Sequence, residues 1–355
     1  MERNASPTAQ PSYQLLSLTD LNAEEATCDW LWQGYLAPGS ITLLTSPWKS
    51  GKTTLISALL THLGTGGVLA GLPVRPAKAV IVSEESIAQW RLRKQKFRFG
   101  PHISWLCRPF RGQPSLEAWQ DLIAHFLDYR QEQGIDVVVI DPLASFLPLR
   151  SEANATGMLQ ALLPLQPLTQ AGLAVLLLHH PRKNRSADGE WSRGSGALPA
   201  HVDIILEMSY YTRAIDADRR RKLTAWSRFD ETPRCRVIEL TADGTDFLSR
   251  GDVAEVAFAD NMAILLAILD DATAKMTRGE IRDNWPPELP KPADNTLWRW
   301  LDRAVSQGLV CRAGTGHRHD PFRYWNASLE AIWRADPMLR FQAQEAELYR
   351  QLGLK

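Results

Sequence analysis

Residues 43–60, LLTSPWKSGKTTLISALL, carry the strongest local signal in this chain of 355 residues. A short apolar run ends at Ser46, a polar loop follows with the triplet Gly51, Lys52 and Thr53, and an apolar helical pattern comes next. A loop between a strand and a helix can wrap a phosphate with its N–H groups, and the helix N-terminus adds favourable potential. The stretch therefore predicts a phosphate-binding loop.

The residue types in this loop suit a nucleoside triphosphate with Mg²⁺. Lys52 would reach the β- and γ-phosphates, Thr53 would place its hydroxyl on Mg²⁺, and Gly51 would let the backbone approach closely. Ser46 stands where the pattern has glycine, and a serine can adopt left-handed or turn geometry at a cost of about 1 kcal/mol. We expect this departure to weaken the motif without abolishing it. The alternative is a chance GKT at a helix start. The predicted nucleotide-binding residues are Ser46, Pro47, Trp48, Lys49, Ser50, Gly51, Lys52, Thr53 and Thr54.

Composition limits the class of protein. The chain is 45% apolar and 23% charged with zero formal net charge, so affinity for nucleic acid would have to come from local patches. Its four cysteines lie far apart without a CxxC pair, which argues against a disulfide framework or a zinc site. No run of eighteen apolar residues and no basic-then-apolar leader occurs. We expect a cytoplasmic protein with two domains and no membrane span.

Acidic residues follow two of the apolar runs. Asp141 ends VVVIDP, where a carboxylate can hold the water shell of Mg²⁺, although an acid ending a strand is also common without such a role. Glu84 and Glu85 end VSEES, where a carboxylate can activate the attacking water. Because adjacent strand residues point to opposite faces, only one of the two should act, and Glu85 is slightly preferred. The alternative for the other is a solvated or capping acid.

Apolar runs alternate with helical patterns through the first two thirds of the chain. Strands are predicted at Ser40 to Leu44 and in KAVIVSEES, IDVVVIDPL, LAVLLLHHP, VDIILEM and KLTAWSRF. Helices are predicted from Thr53 to Leu63 and after the caps Ser86 and Ser115. Such alternation indicates an α/β fold with a mostly parallel sheet covered on both faces.

Six strings in order resemble those of the RecA-type ATPases, which are AAA ATPases in the broad sense. They are the phosphate-binding loop, VSEES, VVVIDPLASF, VLLLHHPRKN, RGSGAL and HVDIILEM, and the likeness covers about residues 28–240. The set is most similar to the RepA-like hexameric helicases. The resemblance implies a RecA-like core, hydrolysis of ATP with Mg²⁺, and a homo-oligomeric ring with ATP between subunits.

The resemblance also implies roles for single residues. The acid after the second strand acts as the base, which matches Glu84 or Glu85. The polar end of the fourth strand senses the γ-phosphate, which matches His179 or His180; the alternative is a pair of buried core histidines. A Lys-x-Arg pair on a late strand reaches the neighbour's ATP. In AWSRFD, Arg228 fits the arginine but Trp226 stands at the lysine position; Arg193 and Lys183 are other candidates.

Two basic segments of the predicted core could contact nucleic acid. The loop RKNRSADGEWSR, residues 182–193, has four basic and two acidic residues, and RecA-type rings line their pore with the corresponding loop. Residues 90–111 hold seven Lys or Arg and no acid, which suits either nucleic acid or an acidic neighbour. The alternative for the loop is a solvated surface. The predicted contacts to single-stranded DNA in the pore are Arg182, Lys183, Arg185, Trp191 and Arg193.

The pattern of predicted helices and strands changes after about residue 250. Three helical patterns, a capping box at Thr277 and Glu280, and two short strands around a Gly-rich basic loop are typical of a winged helix-turn-helix. Such modules bind duplex DNA or dock on proteins. Predicted domains are a flexible arm (1–25), the RecA-like core (26–250), the winged helix (251–330) and a helical tail (331–355). The predicted recognition-helix residues are Asn295, Arg299 and Arg303, and those of the wing are Arg312, His317, Arg318, His319 and Arg323.

These features together predict an ATP-hydrolysing motor that acts on DNA, as a hexameric helicase or translocase. Two alternatives stay open. One is a nucleotide-controlled DNA-binding switch or loader with slow hydrolysis and no strand displacement. The other is a scaffold in which the nucleotide only holds subunits together.

Overall fold

The computed structural model describes residue 17 and residues 28–149, 154–180, 196–212 and 218–331. The predicted tail from residue 332, all but residue 17 of the predicted arm, and the pore-loop candidates Arg182, Lys183, Arg185, Trp191 and Arg193 lie outside these residues. Contacts divide the described chain into two units. The first holds the residues up to Ser209 with Thr224–Arg234 and Leu240–Phe247, and the second holds Tyr210–Leu223, Cys235–Glu239 and the residues from Leu248.

The described residues contain fourteen strands and nine α-helices. The strands are β1 (Ile41–Thr45), β2 (Gly67–Leu69), β3 (Leu72–Val74), β4 (Ala79–Ser83), β5 (Ile103–Cys107), β6 (Val137–Asp141), β7 (Ala174–His179), β8 (Ile204–Tyr210), β9 (Arg220–Ser227), β10 (Cys235–Leu240), β11 (Phe247–Asp252), β12 (Met276–Thr277), β13 (Val310–Ala313) and β14 (Arg323–Asn326). The helices are α1 (Lys52–Thr65), α2 (Ile87–Lys96), α3 (Leu116–Gln133), α4 (Ala155–Leu162), α5 (Gln166–Gln170), α6 (Ala197–His201), α7 (Val253–Asp271), α8 (Arg278–Asp283) and α9 (Asp294–Ser306).

The large sheet has the strand order β11-β10-β9-β8-β1-β7-β6-β4-β5. From β8 to β5 its neighbouring strands pair in parallel. Every residue of β1, β4, β6 and β7 is buried, so these strands are covered on both faces. The predicted α/β fold with a large, mostly parallel sheet is therefore confirmed.

The register of this sheet brings the carboxyl ends of the central strands to one edge. Thr45 of β1 lies opposite His179 of β7 on one side and Glu207 of β8 on the other. In the same way Ser83 of β4 lies opposite Asp141 of β6. Ligands of open parallel sheets bind outside this edge.

Helix starts in the first unit follow the predicted caps. Ser86 forms a capping box with Gln89 at the start of α2, and the Ser115 side chain accepts a hydrogen bond from the Ala118 N–H at the start of α3. On α3 the buried residues Trp119, Leu122, Ile123 and Phe126 form one apolar stripe against the sheet. No helix of the described residues is long and apolar enough to cross a membrane.

Five strands of the first two thirds were not predicted: β2, β3, β5, β10 and β11. The sequence ISWLC of β5 lies inside the basic stretch 90–111, where charge hides the strand pattern. It is held by pairing with β4, in which Ile81 lies opposite Trp105. Such a partner, distant in the chain, is not visible in a local window.

The second unit contains α7, α8, α9 and a three-stranded sheet of order β12-β14-β13. The predicted capping box is present, since the Thr277 side chain accepts from the Glu280 N–H and the Glu280 side chain accepts from the Thr277 N–H. The apolar core of the second unit includes the fully buried residues Leu265, Leu269, Ile281, Leu297 and Leu301.

Candidate nucleotide-binding site

The loop between β1 and α1 is shaped by two left-handed residues. Lys49 has φ 60° and Gly51, the N-cap of α1, has φ 103°. A Cβ atom built on Gly51 would meet no atom within 4 Å, so the space beside this residue is open. Glycine also leaves the first-turn N–H groups without a capping side chain. This arrangement suits a phosphate.

Ser46 is fully buried and lies outside the residues with positive φ. Ser46 therefore does not take up left-handed geometry, and the left-handed residues of the loop are Lys49 and Gly51. The hydroxyl of Ser50 lies 2.9 Å from the Ser46 hydroxyl and 2.8 Å from the Pro47 carbonyl oxygen. Ser46 thus contributes a hydrogen bond inside the loop.

Lys52 is buried at the start of α1 and reaches across to the end of β7. Its Nζ donates to the His179 carbonyl oxygen at 2.6 Å and lies 3.0 Å from His180 Nδ1. Burial lowers the pKa of Lys52 to about 8, against the opposing effect of Asp141 and Glu84. Burial, then Lys52 and His179, lower the pKa of His180 to about 4. Neutral His180 can therefore accept a hydrogen bond from the Lys52 ammonium.

Thr53 and Asp141 place two oxygen atoms side by side. The Thr53 hydroxyl lies 3.5 Å from Asp141 Oδ2. Burial raises the pKa of Asp141 to about 6, Lys52 lowers it, and Glu85 and Glu84 raise it. In the described residues no group of three or more His, Cys, Asp or Glu could hold a metal by itself. A hydroxyl and one carboxylate fit Mg²⁺ that keeps water and phosphate oxygens as its other ligands.

The two candidate bases differ in their contacts. Glu84 is exposed, its Oε2 accepts a hydrogen bond from the Ser145 hydroxyl, and its N–H donates to the Asp141 carbonyl oxygen at 3.1 Å. Glu85 uses both carboxylate oxygens on Arg93 of α2, with Oε1 at 2.7 Å from Nη2 and Oε2 paired to Nη1. The two acids therefore follow β4 in different electrostatic settings.

The histidines and Trp48 complete the edge near Lys52. His179 is buried, and its Nδ1 lies 3.5 Å from the Thr45 hydroxyl. The Trp48 ring meets the His180 ring edge-on, with centroids 6.1 Å apart, and two thirds of Trp48 is exposed. His179 thus belongs to the sheet interior, whereas His180 faces the loop.

Arg228, just after β9, makes an ion pair within its own unit. Its Nη1 lies 3.3 Å from Asp203 Oδ1, and 69% of the arginine side chain is exposed. The other oxygen of Asp203 accepts from the Ile41 N–H at 2.9 Å. Among the described residues, no hydrogen bond or ion pair joins Arg228 to Lys52 of the same chain.

Three residues of this region were missed from the sequence. Glu207 is a buried acid opposite Thr45, and its position inside the apolar run VDIILEM was a visible signal, because a buried carboxylate is costly. Arg93 was counted only as one of several basic residues. Ser145 lies in a short 3₁₀ turn after Asp141 and carries no local signal.

In the second unit the predicted DNA contacts fall into two groups. Asn295, Arg299 and Arg318 are exposed. Arg303 is exposed as well, and its guanidinium lies over the Phe258 ring, 3.8 Å from the ring centroid. The wing candidates include His317 and His319, which are exposed, and Arg312 and Arg323, which bind Asp302 and the Lys275 carbonyl oxygen within this unit.

The sequence model of the AAA domain family matches residues 7–186, more than half of the chain. The chain belongs to the AAA domain family. This membership confirms the predicted P-loop ATPase. Among solved structures, a KaiC-like protein from the hyperthermophilic archaeon Pyrococcus horikoshii is 18% identical, covers 62% of this chain and 93% of its own, and has a TM-score of 0.43. That likeness is too distant to support an argument about activity. A comparison with curated proteins gave no match.

Proposed function

We propose that this AAA-family chain is a RecA-type motor of the RepA-like hexameric helicase kind, which hydrolyses ATP with Mg²⁺ and acts on DNA as a ring. The observation that carries the proposal is the meeting of four side chains at one edge of the sheet. Lys52 reaches the end of β7, Thr53 lies beside Asp141, and Glu84 follows the neighbouring strand. Positive charge, two Mg²⁺-binding oxygens and a candidate base are what phosphoryl transfer requires.

Different residues would bind the phosphates and the Mg²⁺ ion of the nucleotide. Backbone N–H groups near Gly51 would hold the β-phosphate, and the Lys52 ammonium would leave the His179 carbonyl oxygen to reach the β- and γ-phosphates. Thr53 and Asp141 would hold Mg²⁺. Bound Mg-ATP supplies the transferable γ-phosphoryl group, whose charge the metal partly neutralises.

We assign water activation to Glu84 rather than Glu85. Both oxygens of Glu85 already accept from Arg93, which reduces its capacity to take another proton. Glu84 keeps one oxygen outside its bond from Ser145, and its charge acts on Lys52. His179 and His180 are proposed to sense the γ-phosphate through their contacts with Thr45 and Lys52.

Arg228 is proposed to act in a neighbouring subunit. Its side chain is 69% exposed in the ion pair with Asp203, whose own side chain is 24% exposed. The exposed guanidinium is accessible to the γ-phosphate of a neighbouring subunit. Single-stranded DNA would pass through the pore, and duplex DNA would bind a C-terminal winged helix through Asn295, Arg299 and Arg318.

A second candidate is a nucleotide-controlled switch or loader that hydrolyses slowly and displaces no strand. One observation favours it: Lys52 is already held by the His179 carbonyl oxygen and His180. Nucleotide binding must break these contacts. A site with this competition suits slow exchange between two states.

The test compares ATP turnover and strand displacement in the wild type, Glu84→Gln and Glu85→Gln, with the exposed Glu132→Gln as the control. The motor predicts DNA-stimulated turnover with strand displacement, and a loss of about 100-fold or more in Glu84→Gln. Turnover without displacement supports the switch. ATP binding without turnover in all four proteins leaves only a scaffold. A monomer in sedimentation with ATP and DNA would contradict the ring.

A further inference from the structure

The second unit contains an open cavity of about 350 Å³ between α8, α9 and the loop that joins β13 to β14. Its volume is in the range of small-ligand sites. One wall is the exposed face of α9, and the opposite wall is the β13–β14 loop. The lining residues are Thr277, Arg278, Gly279, Trp298, Gly316, Pro321, Phe322 and Tyr324.

Trp298 gives this cavity a flat aromatic wall. On the same helix, Trp300 stacks on Trp285 with ring centroids 6.0 Å apart, which accounts for it as a packing residue. Leu297 and Leu301 fill the core. Trp298 instead stays 45% exposed at the cavity. A large ring held at the surface beside a cavity is suited to stacking on a ligand.

The opposite wall is built closely. Gly316 has φ 80°, and a Cβ atom on it would lie 2.6 Å from the Phe322 ring. The Arg312 guanidinium covers Phe322, 4.7 Å from its centroid. Glycine at 316 therefore suits both the left-handed backbone and the close approach of the loop to Phe322.

One cation, Arg278, lines the cavity itself. Arg299 follows Trp298 along α9, and Arg318 lies in the loop that contains Gly316. Within the described residues none of these three arginines is in an ion pair. The nearby acids have partners in the same unit. Asp302 pairs with Arg312, Asp294 with Arg282, Glu280 belongs to the capping box, and Asp320 accepts from the Thr315 N–H.

We propose that this cavity binds an unpaired nucleotide, with its base stacked on Trp298 and its phosphate on Arg278. The proposal rests on the proposed action on DNA and adds the class of ligand at this unit. A nucleotide offers the π-face of its base and an anionic phosphate, which match the Trp298 ring and the Arg278 guanidinium. Two other predicted DNA contacts already have partners in this unit. Arg303 lies over the Phe258 ring, and Arg312 pairs with Asp302 and lies over the Phe322 ring.

The unit would thus recognise a place where a base has left its duplex, such as a bulge or a fork. Arg318 would hold the flanking duplex backbone, which is contacted without regard to sequence. The neighbouring unpaired base would then enter the cavity.

The test uses the full chain and a DNA hairpin with one unpaired 2-aminopurine, and a fully paired hairpin with the same stem. We expect Trp298→Ala to weaken binding of the bulged hairpin about tenfold and to remove the quenching of 2-aminopurine. Binding of the paired hairpin should not change. Trp298→Phe keeps an aromatic face and is the matched control, with most of the affinity retained. Thermal unfolding of each variant establishes that the unit is intact.

Equal binding of the bulged hairpin by the wild type and Trp298→Ala would overturn the cavity proposal and leave the proposed DNA motor in place. An equal loss for both hairpins would also overturn it, since Trp298 would then contact the duplex itself. If the wild type binds neither hairpin and DNA does not stimulate its turnover, the proposed action on DNA fails together with the cavity proposal.

Discussion

At the scale of single residues, the serine that stands in place of glycine, Ser46, adds no left-handed strain to the loop, whose left-handed residues are Lys49 and Gly51. The Ser46 hydroxyl is paired with Ser50, and its backbone does not need glycine. We therefore expect Ser46→Gly to give no gain in ATP affinity and to lower the free energy of unfolding by about 1 kcal/mol, because a buried hydrogen bond is lost. Equilibrium titration with a fluorescent ATP analogue and urea unfolding measure the two quantities.

Ser46→Ala is the matched control, since it removes the hydroxyl but keeps the Cβ atom. It should cost nearly as much stability as Ser46→Gly if the hydrogen bond dominates. A tenfold gain in ATP affinity in Ser46→Gly would instead mean that the natural loop is a compromised one.

Asp141 is an acid whose position favours binding over stability. Its raised pKa means that folding favours the protonated carboxyl, so its contribution to stability is present below about pH 4 and is lost as pH rises through about 6. At pH 7.5 we expect Asp141→Asn to raise the free energy of unfolding by about 1 to 3 kcal/mol and to abolish turnover. Near pH 4.5 most of the stability gain should disappear.

The control for this prediction is Asp121→Asn, which changes an exposed carboxylate on α3. It should leave stability and turnover unchanged at both pH values. Urea unfolding at pH 4.5 and 7.5 gives the comparison. A destabilised Asp141→Asn at pH 7.5 would show that attraction to Lys52 outweighs the cost of burial.

Some of these residues could be predicted because their signals are local. Lys52 and Thr53 are fixed by the loop pattern, and Asp141 by its position at the end of an apolar run. Arg93 could not be assigned, because its bond to Glu85 depends on how α2 lies after β4. Ser145 depends on a turn that brings it back to Glu84.

At the scale of elements, the loop between β13 and β14 depends on glycine for both conformation and space. Gly316 has φ 80° and lies against Phe322, whereas Gly308 has φ 71° and open space around it. We expect Gly308→Ala to cost about 1 kcal/mol for the left-handed backbone alone. Gly316→Ala should cost about 1 to 3 kcal/mol more, because its methyl group also overpacks the ring.

Calorimetric unfolding of both variants separates these costs. Equal costs would mean that the loop moves away from Phe322 freely, and the cavity beside Trp298 would then not be formed in advance. The loop itself was predicted as a Gly-rich connection between two strands. Its closeness to Phe322 was not, because a sequence window does not show which ring a loop will meet.

The same limit separates the strands that were predicted from those that were missed. Strands β1, β6 and β7 are apolar runs that can be recognised in the sequence. Strands β10 and β11 mix polar and apolar residues and gain their stability from neighbouring strands.

At the scale of the whole molecule, the α/β fold follows from repeated apolar runs and helices, and its sheet order follows from pairing between distant segments. Residues between 210 and 248 alternate between the two units. A pattern of that kind cannot be expressed by one boundary along the sequence. The loop predicted to bind phosphate, by contrast, is a local structure, and it lies directly before α1.

If Lys52 makes this edge of the sheet an ATPase site, its side chain is essential for turnover. Phosphate release from ATP is measured with and without Mg²⁺ in the wild type, Lys52→Ala and the exposed control Lys94→Ala. We expect Mg²⁺-dependent turnover that Lys94→Ala retains and Lys52→Ala lowers by about 100-fold or more. Equal turnover in Lys52→Ala and the wild type would contradict this role of Lys52.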